Sequence, residues 1–178
     1  MSEEDRPAKT AEDREHVHEL HIFASHLRGQ FLNGTAWLEV LLADVIANYF
    51  CPDRRRRMFF FSEVANGMRF SGKTALLEKI LKFDFPEVHK AHPDLRKKLD
   101  SIGEFRNMLA HSHLDTRPET IAAKKRHEVS FIKYRVGELK TVFVTAEQAK
   151  SRAQDANKLR RVLLTIQREF RAHNDDKA

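Results

Sequence analysis

A long run of apolar residues at helical spacing constrains this chain more than any other feature. Between Glu12 and Phe50 the apolar positions recur mostly three or four residues apart, at Val17, Leu20, Phe23, Ala24, Leu27, Phe31, Leu38, Leu41, Leu42, Val45, Ile46 and Tyr49. This period is that of an α-helix. Asn33 and Gly34 could kink or split the segment, but no turn-rich stretch separates its halves. We predict one long helix that ends before Pro52.

Three shorter amphipathic segments follow, and each predicts a helix, at residues 55–66, 72–83 and 94–112. Ser71 precedes the second of these helices and is predicted to be its N-cap, because a serine side chain accepts hydrogen bonds from free backbone N–H groups. The inward side chains of that helix are predicted to be Ala75, Leu76, Ile80 and Phe83. Those of the next helix are predicted to be Leu95, Leu99, Ile102, Phe105 and Leu109.

The apolar period changes to two between Glu128 and Thr145, with Gly137 interrupting the run, which predicts a β-hairpin. Thr145 and Gln148 then form a capping-box pattern that begins a last helix, to about His173. The expected fold is mainly α, a helical bundle with a long first helix and a small β-hairpin before the last helix.

The composition is that of one helical domain rather than of a strand-rich protein. Of the 178 residues, 41% are hydrophobic and 33% are charged, with only 6 glycines and 5 prolines. A chain of this length builds one apolar core and is too short for two separate catalytic domains. We predict a flexible leader at residues 1–10 and a single helical domain at residues 11–174.

Cysteine content and hydropathy predict a cytoplasmic protein. The single cysteine, Cys51, cannot form an intramolecular disulfide, so the fold does not require an oxidising compartment. The first residues are acidic, unlike those of a secretory signal, and no apolar run approaches the length of a membrane span. We expect no association with a membrane.

The net charge of +6 makes a polyanion such as RNA a candidate partner. The best electrostatic contact for RNA phosphates is a run of four arginines, Arg54, Arg55, Arg56 and Arg57. The alternative is that these arginines form a solvated face, because 26 acidic residues balance much of the positive charge. Charge alone does not decide between the two interpretations.

The segment with the most informative chemistry lies near the end of the helix predicted at 94–112, where Arg106, Asn107 and His111 occur. Asn107 and His111 are four residues apart, so they share a face and Asn107 can orient the imidazole. Arg106 and His111 face about 140° apart. They converge on one atom only if the arginine bends or a second subunit contributes.

These residue types suit RNA cleavage without a metal ion. A histidine that titrates near neutrality takes the proton of the ribose 2′-OH, and an arginine stabilises the charge that develops on the scissile phosphate. Two copies across a two-fold axis offer a second histidine as the acid for the leaving 5′-oxygen. The product would be a 2′,3′-cyclic phosphate.

The same spacing occurs a second time, between Arg168 and His173. There Glu169 follows the arginine and competes with a phosphate for it, and the segment lies at the end of the last helix. Spacing alone is also consistent with an exposed ion-pairing arginine and a helix-end histidine that the helix dipole favours.

The residues from Arg106 to His111 resemble the motif of the HEPN superfamily, small helical proteins of toxin–antitoxin, antiviral and RNA-processing systems. That motif is an arginine, a polar residue that is often asparagine, a few more residues and a histidine. The predicted layout is similar too, with a long first helix, the motif on a late helix and a further helix after it. The resemblance covers most of the chain as architecture and six residues as motif.

The resemblance implies a homodimer that acts as a metal-independent endoribonuclease, with Arg106 and His111 as catalytic residues and Asn107 in support. An antitoxin or regulatory protein is a further candidate partner that the resemblance leaves open. His113 stands where one subgroup has the tyrosine that its antitoxin modifies, so inactivation by that route is not expected. Some members are non-catalytic and bind RNA, nucleotides or proteins. That module is the alternative function here.

Residues 67–74 match the phosphate-loop pattern GxxxxGK[ST], which makes nucleotide binding a third hypothesis. The mechanism requires a buried strand before the loop and an acidic residue on a neighbouring strand, and neither is evident. The alternative is that Ser71 caps a helix and Lys73 lies on its solvent face.

Other chemistry-bearing residues carry weaker signals. His18 and His21 share a helix face, but no carboxylate or cysteine completes a zinc set, so no metal site and no cofactor are predicted. Trp37, Phe31 and the phenylalanine-rich run near Phe60 are predicted to lie in the core or in a dimer interface, because they recur at helical spacing.

Overall fold

The computed structural model describes residues 10–122, 128–135 and 138–175, so residues 1–9 of the predicted leader and Gly137 of the predicted hairpin lie outside the described residues. The helices are α1 (Ala11–Phe50), α2 (Arg54–Phe60) with a π-helical turn at Phe61–Ala65, α3 (Phe70–Asp84), α4 (Pro86–Ala91), α5 (Leu95–His111), α6 (Pro118–Ala122) and α7 (Ala146–Asp175). The strands are β1 (His113–Leu114), β2 (Glu128–Arg135) and β3 (Glu138–Thr145).

The fold is mainly α, and the long first helix and the small sheet before the last helix are confirmed. Strands β2 and β3 pair antiparallel, with Glu128 opposite Thr145 and Arg135 opposite Glu138. The strand β1 was not predicted, because two residues are too short to show a period. It pairs antiparallel with β2 and places the sheet directly after α5.

Side-chain caps explain where two of the helices begin. Thr10 and Asp13 form a capping box at the start of α1. The predicted box at α7 is confirmed, because the Thr145 backbone N–H donates to Gln148 and the Gln148 N–H donates to the Thr145 hydroxyl. The predicted cap at Ser71 is wrong. Helix α3 begins at Phe70, so Ser71 already lies inside its first turn.

The core forms where α1 packs against α3, α5 and α7. Phe31 is buried and meets the ring of Phe105 edge-on at 4.8 Å, as expected for a core residue. The prediction for Phe83 is wrong, because this side chain was expected to point inward and is 84% exposed. Trp37 is 70% exposed, so of its two predicted places, core or dimer interface, the core is excluded. Within the described residues, no helix is both long and apolar enough to cross a membrane.

A buried carboxylate ties the segment after β1 to the sheet. Asp115 accepts hydrogen bonds from the Arg117 guanidinium at 2.8 and 2.9 Å, from Thr120 at 3.0 Å and from Ser130 of β2 at 3.2 Å. The Arg117 side chain and its backbone N–H, opposed in part by burial, lower the pKa of Asp115 from 3.8 to about 2. The carboxylate is therefore a structural anion at neutral pH.

This carboxylate predicts an acid-sensitive stability. Because the folded pKa lies below the ordinary value, the stabilisation from Asp115 is present above pH 3.8 and is lost as the pH falls towards about 2. We expect Asp115→Asn to lower the free energy of unfolding at neutral pH by about 2 kcal/mol, since charge-assisted hydrogen bonds are lost. It should also flatten the pH dependence in that window. Urea unfolding from pH 2 to 7 tests both, and an unchanged pH profile would contradict the assignment.

Gly103 predicts a second stability effect, because a Cβ atom there would lie 2.7 Å from the Phe70 ring of α3. We expect Gly103→Ala to be destabilising, since overpacking costs about 1–3 kcal/mol and the helix propensity of alanine returns at most about 1 kcal/mol. Gly34 of α1 has no atom within 4 Å of such a Cβ and is the matched control. Gly34→Ala should stabilise the protein in the same thermal unfolding measurement, and equal signs for the two variants would contradict this account.

Candidate functional site

Helix α5 carries all three residues of the motif near its C-terminal end. Its inward positions, among them Leu99, Ile102 and Leu109, are fully buried and fix the rotation of the helix. With that rotation fixed, His111 is exposed in the last turn, and Arg106 is half-buried with 36% of its side chain exposed. The histidine is open to a ligand in the position that the motif requires.

The Arg106 guanidinium makes two hydrogen bonds that define its direction. Its Nη1 donates to the Asn107 side-chain oxygen at 2.9 Å, and its Nη2 donates to a Glu39 carboxylate oxygen of α1 at 2.9 Å. The long side chain therefore bends towards the side of α5 that carries Asn107. His111 lies one helical turn further along that side.

The structure brings Arg106 and Asn107 together and leaves the His111 imidazole unpaired with them. Asn107 was expected to orient the imidazole, but among the described residues its hydrogen-bond partner is Arg106. A ligand between Arg106 and His111 would occupy the side of α5 to which both belong. Because Asn107 positions the guanidinium, it contributes to the site through the arginine.

A buried lysine shares the Glu39 carboxylate with Arg106. Lys73 of α3 is 0% exposed, and its Nζ lies 3.1 Å from the other Glu39 carboxylate oxygen and 3.3 Å from the Asn66 carbonyl. The expectation that Lys73 lies on the solvent face is wrong. A buried ammonium requires a counter-charge, and Glu39 of α1 supplies it.

Glu39 consequently lies between two cations, Lys73 and Arg106, and joins α1, α3 and α5. Two positive charges share one negative charge, so the cluster keeps a net charge of +1. This is the electrostatic condition that favours an anion at the exposed edge of Arg106. Sequence reasoning missed Glu39, since a single acidic residue between Leu38 and Val40 carries no motif.

The phosphate-loop match does not have the geometry that its mechanism requires. The segment before it is the π-helical turn Phe61–Ala65, and the fully described region 51–84 contains no strand. The Thr74 hydroxyl bonds to Asp100 at 2.5 Å and to the Ser71 carbonyl at 3.0 Å, while Lys73 binds Glu39. The two residues that would hold phosphate and Mg²⁺ are engaged within the fold.

The second Arg-x4-His sequence, on α7, has a different environment. His173 packs against the ring of Phe85 at 5.0 Å between ring centroids, and its Nε2 is buried without a hydrogen-bond partner. Arg168 is exposed, and no carboxylate of the described residues forms an ion pair with it. His173 is half-buried against Phe85 whereas His111 is exposed, so solvent access distinguishes His111 from its counterpart.

The four arginines proposed to contact RNA lie far from the motif. Arg54 to Arg57 form the start of α2, just after the end of α1, and Asp53 caps this helix through the Arg56 N–H. The end of α5 meets α1 at Arg28, 22 residues before Phe50, which is about 33 Å along the helix. Within one chain these arginines and His111 cannot contact the same phosphate.

A search of the described residues finds no group of three or more histidine, cysteine, aspartate or glutamate side chains placed to hold a metal ion. No protein-family model matches the chain, and no curated protein or solved structure shows significant similarity to it. The resemblance to the HEPN superfamily therefore rests on the residues from Arg106 to His111 and on the helical layout.

The shared carboxylate predicts an ordered set of stabilities. We expect Glu39→Gln to lower the free energy of unfolding by about 3 kcal/mol, because it leaves the Lys73 ammonium buried without a counter-charge. Lys73→Met should cost less, since Glu39 keeps Arg106 and is 23% exposed. The double variant Glu39→Gln/Lys73→Met has no buried ammonium. We therefore expect it to regain much of the free energy of unfolding that Glu39→Gln loses. Urea unfolding of all three tests this, and additive losses would contradict the coupling.

Proposed function

We propose that the protein is a metal-independent endoribonuclease in which Arg106 and His111 are the catalytic residues and Asn107 positions the arginine. The observation that carries the proposal is the hydrogen bond from Arg106 to Asn107, which turns the guanidinium towards the side of α5 where His111 is exposed. A catalytic cation and a titratable base are then neighbours on one accessible surface.

The guanidinium retains donors for a phosphate. An arginine has five N–H groups, and the two hydrogen bonds to Asn107 and Glu39 use two of them. The remaining three can donate to the non-bridging oxygens of a phosphodiester. Because Lys73 offsets the charge of Glu39, the arginine keeps its positive potential towards such a ligand.

The cleavage step follows from these positions. Neutral His111 accepts the proton of a ribose 2′-OH, and the 2′-oxygen attacks the adjacent phosphorus. Arg106 stabilises the negative charge that develops on the phosphate, and the bond to the 5′-oxygen breaks. The leaving oxygen takes its proton from a histidine in its acid form, and the products are a 2′,3′-cyclic phosphate and a free 5′-OH.

We propose that a second copy of the chain completes the site. The motif of one chain contains one histidine, His111, and the reaction uses one base and one acid. A two-fold homodimer supplies the second imidazole as the acid. Trp37, which is 70% exposed on α1, is available as an apolar contact for such an interface. The resemblance to the HEPN superfamily favours the same arrangement, and a cytoplasmic toxin–antitoxin or antiviral role with an antitoxin or regulatory partner.

The second candidate function is a non-catalytic module that binds RNA or a protein. The ion pair between Arg106 and Glu39 favours it, because it gives the arginine a structural partner. In this case the motif helix serves folding and association, and His111 is an exposed helix-end residue. The two functions differ in whether RNA is cut.

Cleavage of a mixed RNA pool in EDTA tests the proposal. We expect the wild-type protein to produce 2′,3′-cyclic phosphate ends, and His111→Ala to lower the rate at least about a hundredfold, the usual contribution of a general base. A substrate with 2′-deoxy nucleotides throughout should remain intact. Arg106→Ala should lose activity as well.

Two matched controls separate the motif from its surroundings. His113→Ala removes a neighbouring histidine, and Arg168→Ala removes the arginine of the second Arg-x4-His sequence, so both should keep wild-type rates. RNA binding without cleavage would support the non-catalytic module. Cleavage that survives His111→Ala would place the active site elsewhere in the chain.

A further inference from the structure

Arg28 of α1 lies against the end of α5, one residue beyond His111. Its Nη2 donates a hydrogen bond to the Ser112 carbonyl, which is the C-cap of α5. Its Cζ lies 4.8 Å from the centre of the Phe131 ring, on β2. The guanidinium is half-buried between the end of α5 and β2, and no sequence pattern pointed to it.

The charge of Arg28 has no partner of opposite sign in the part of the chain that the structure describes. Among the described residues no carboxylate forms an ion pair with it, whereas Arg106 has Glu39 and Arg117 has Asp115. Burial lowers the pKa of Arg28, which shows that its charged form is partly desolvated. The negative end of the α5 dipole and the Phe131 ring compensate only part of this cost.

Two polar atoms at the same place also lack hydrogen-bond partners. The Nε of Arg28 and the Oγ of Ser112 are both buried without one. Such atoms cost stability, and native proteins contain few of them. An arginine that served only to cap α5 would be more stable with a hydrogen-bond acceptor at its Nε or with a carboxylate nearby. The site retains an uncompensated cation beside His111 instead.

We propose that Arg28 binds a phosphodiester group of the RNA, next to the phosphate held by Arg106 and His111. This inference rests on the proposed function. Those N–H groups of the guanidinium that reach solvent donate to the phosphate oxygens, and the bound anion supplies the missing counter-charge. Arg28 is thus a substrate-binding residue, and together with Arg106 it would place two phosphates of one strand along the end of α5.

The test is binding of a short single-stranded 2′-O-methyl RNA, measured at several salt concentrations. The methyl group removes the attacking hydroxyl, so the wild-type protein can be studied with its motif intact. Each phosphate contact to a single strand contributes about 0.7 to the slope of log K against log salt. We expect Arg28→Met to make this slope shallower by about 0.7, and Arg28→Lys, which keeps the charge, to preserve it.

Arg160→Met, an exposed arginine of α7, is the matched control and should leave the slope unchanged. Thermal unfolding of each variant reports the loss of the helix cap separately. If Arg28→Met lowers the melting temperature and the affinity but not the slope, Arg28 is a structural cap and the inference is wrong. If the wild-type protein binds no RNA, both the proposed function and the inference about Arg28 are wrong. If the protein binds RNA and all variants show the same slope of log K against log salt, the inference about Arg28 is wrong, and the proposed function is not affected.

Discussion

The pairing of the buried Lys73 ammonium with Glu39 is the interaction on which the rest of the site depends. It joins α3 to α1 inside the protein, and the second oxygen of the same carboxylate holds Arg106 on α5. A lysine that is 0% exposed is tolerated only with a counter-charge, so α1 and α3 must adopt the relation that brings Glu39 to it. That relation also decides where the Arg106 guanidinium lies.

The end of α5 combines two arginines whose electrostatic environments differ. Arg106 shares a carboxylate with a lysine and is directed by Asn107, whereas Arg28 contacts a helix terminus and an aromatic ring and, within the described residues, no carboxylate. The first environment holds a side chain in one direction. The environment of Arg28 leaves a positive potential at the surface. The proposed cleavage of RNA would use both, because the phosphates must be attracted and one of them must be aligned with the proposed base.

Local patterns predicted most of the secondary structure, because a helix or hairpin depends on residues that are close in the chain. The period of α1, the capping box of Thr145 and Gln148, and the hairpin of β2 and β3 were all evident in this way. Local patterns were less informative near the ends of helices. Phe83 was placed inward by its spacing, but it is 84% exposed while Ile80 and Leu81 of the same helix are buried, and α3 ends one residue later.

The sequence by itself determined the mainly α fold, the position of His111 at a helix end and the face that it shares with Asn107. These follow from helical geometry, which is set by neighbouring residues. Only the tertiary structure decided that Lys73 is buried, that Glu39 directs Arg106, and that Arg28 meets the end of α5 without a carboxylate. These contacts join residues distant in the chain, and the energy of a charge depends on burial and on partners that no local pattern contains.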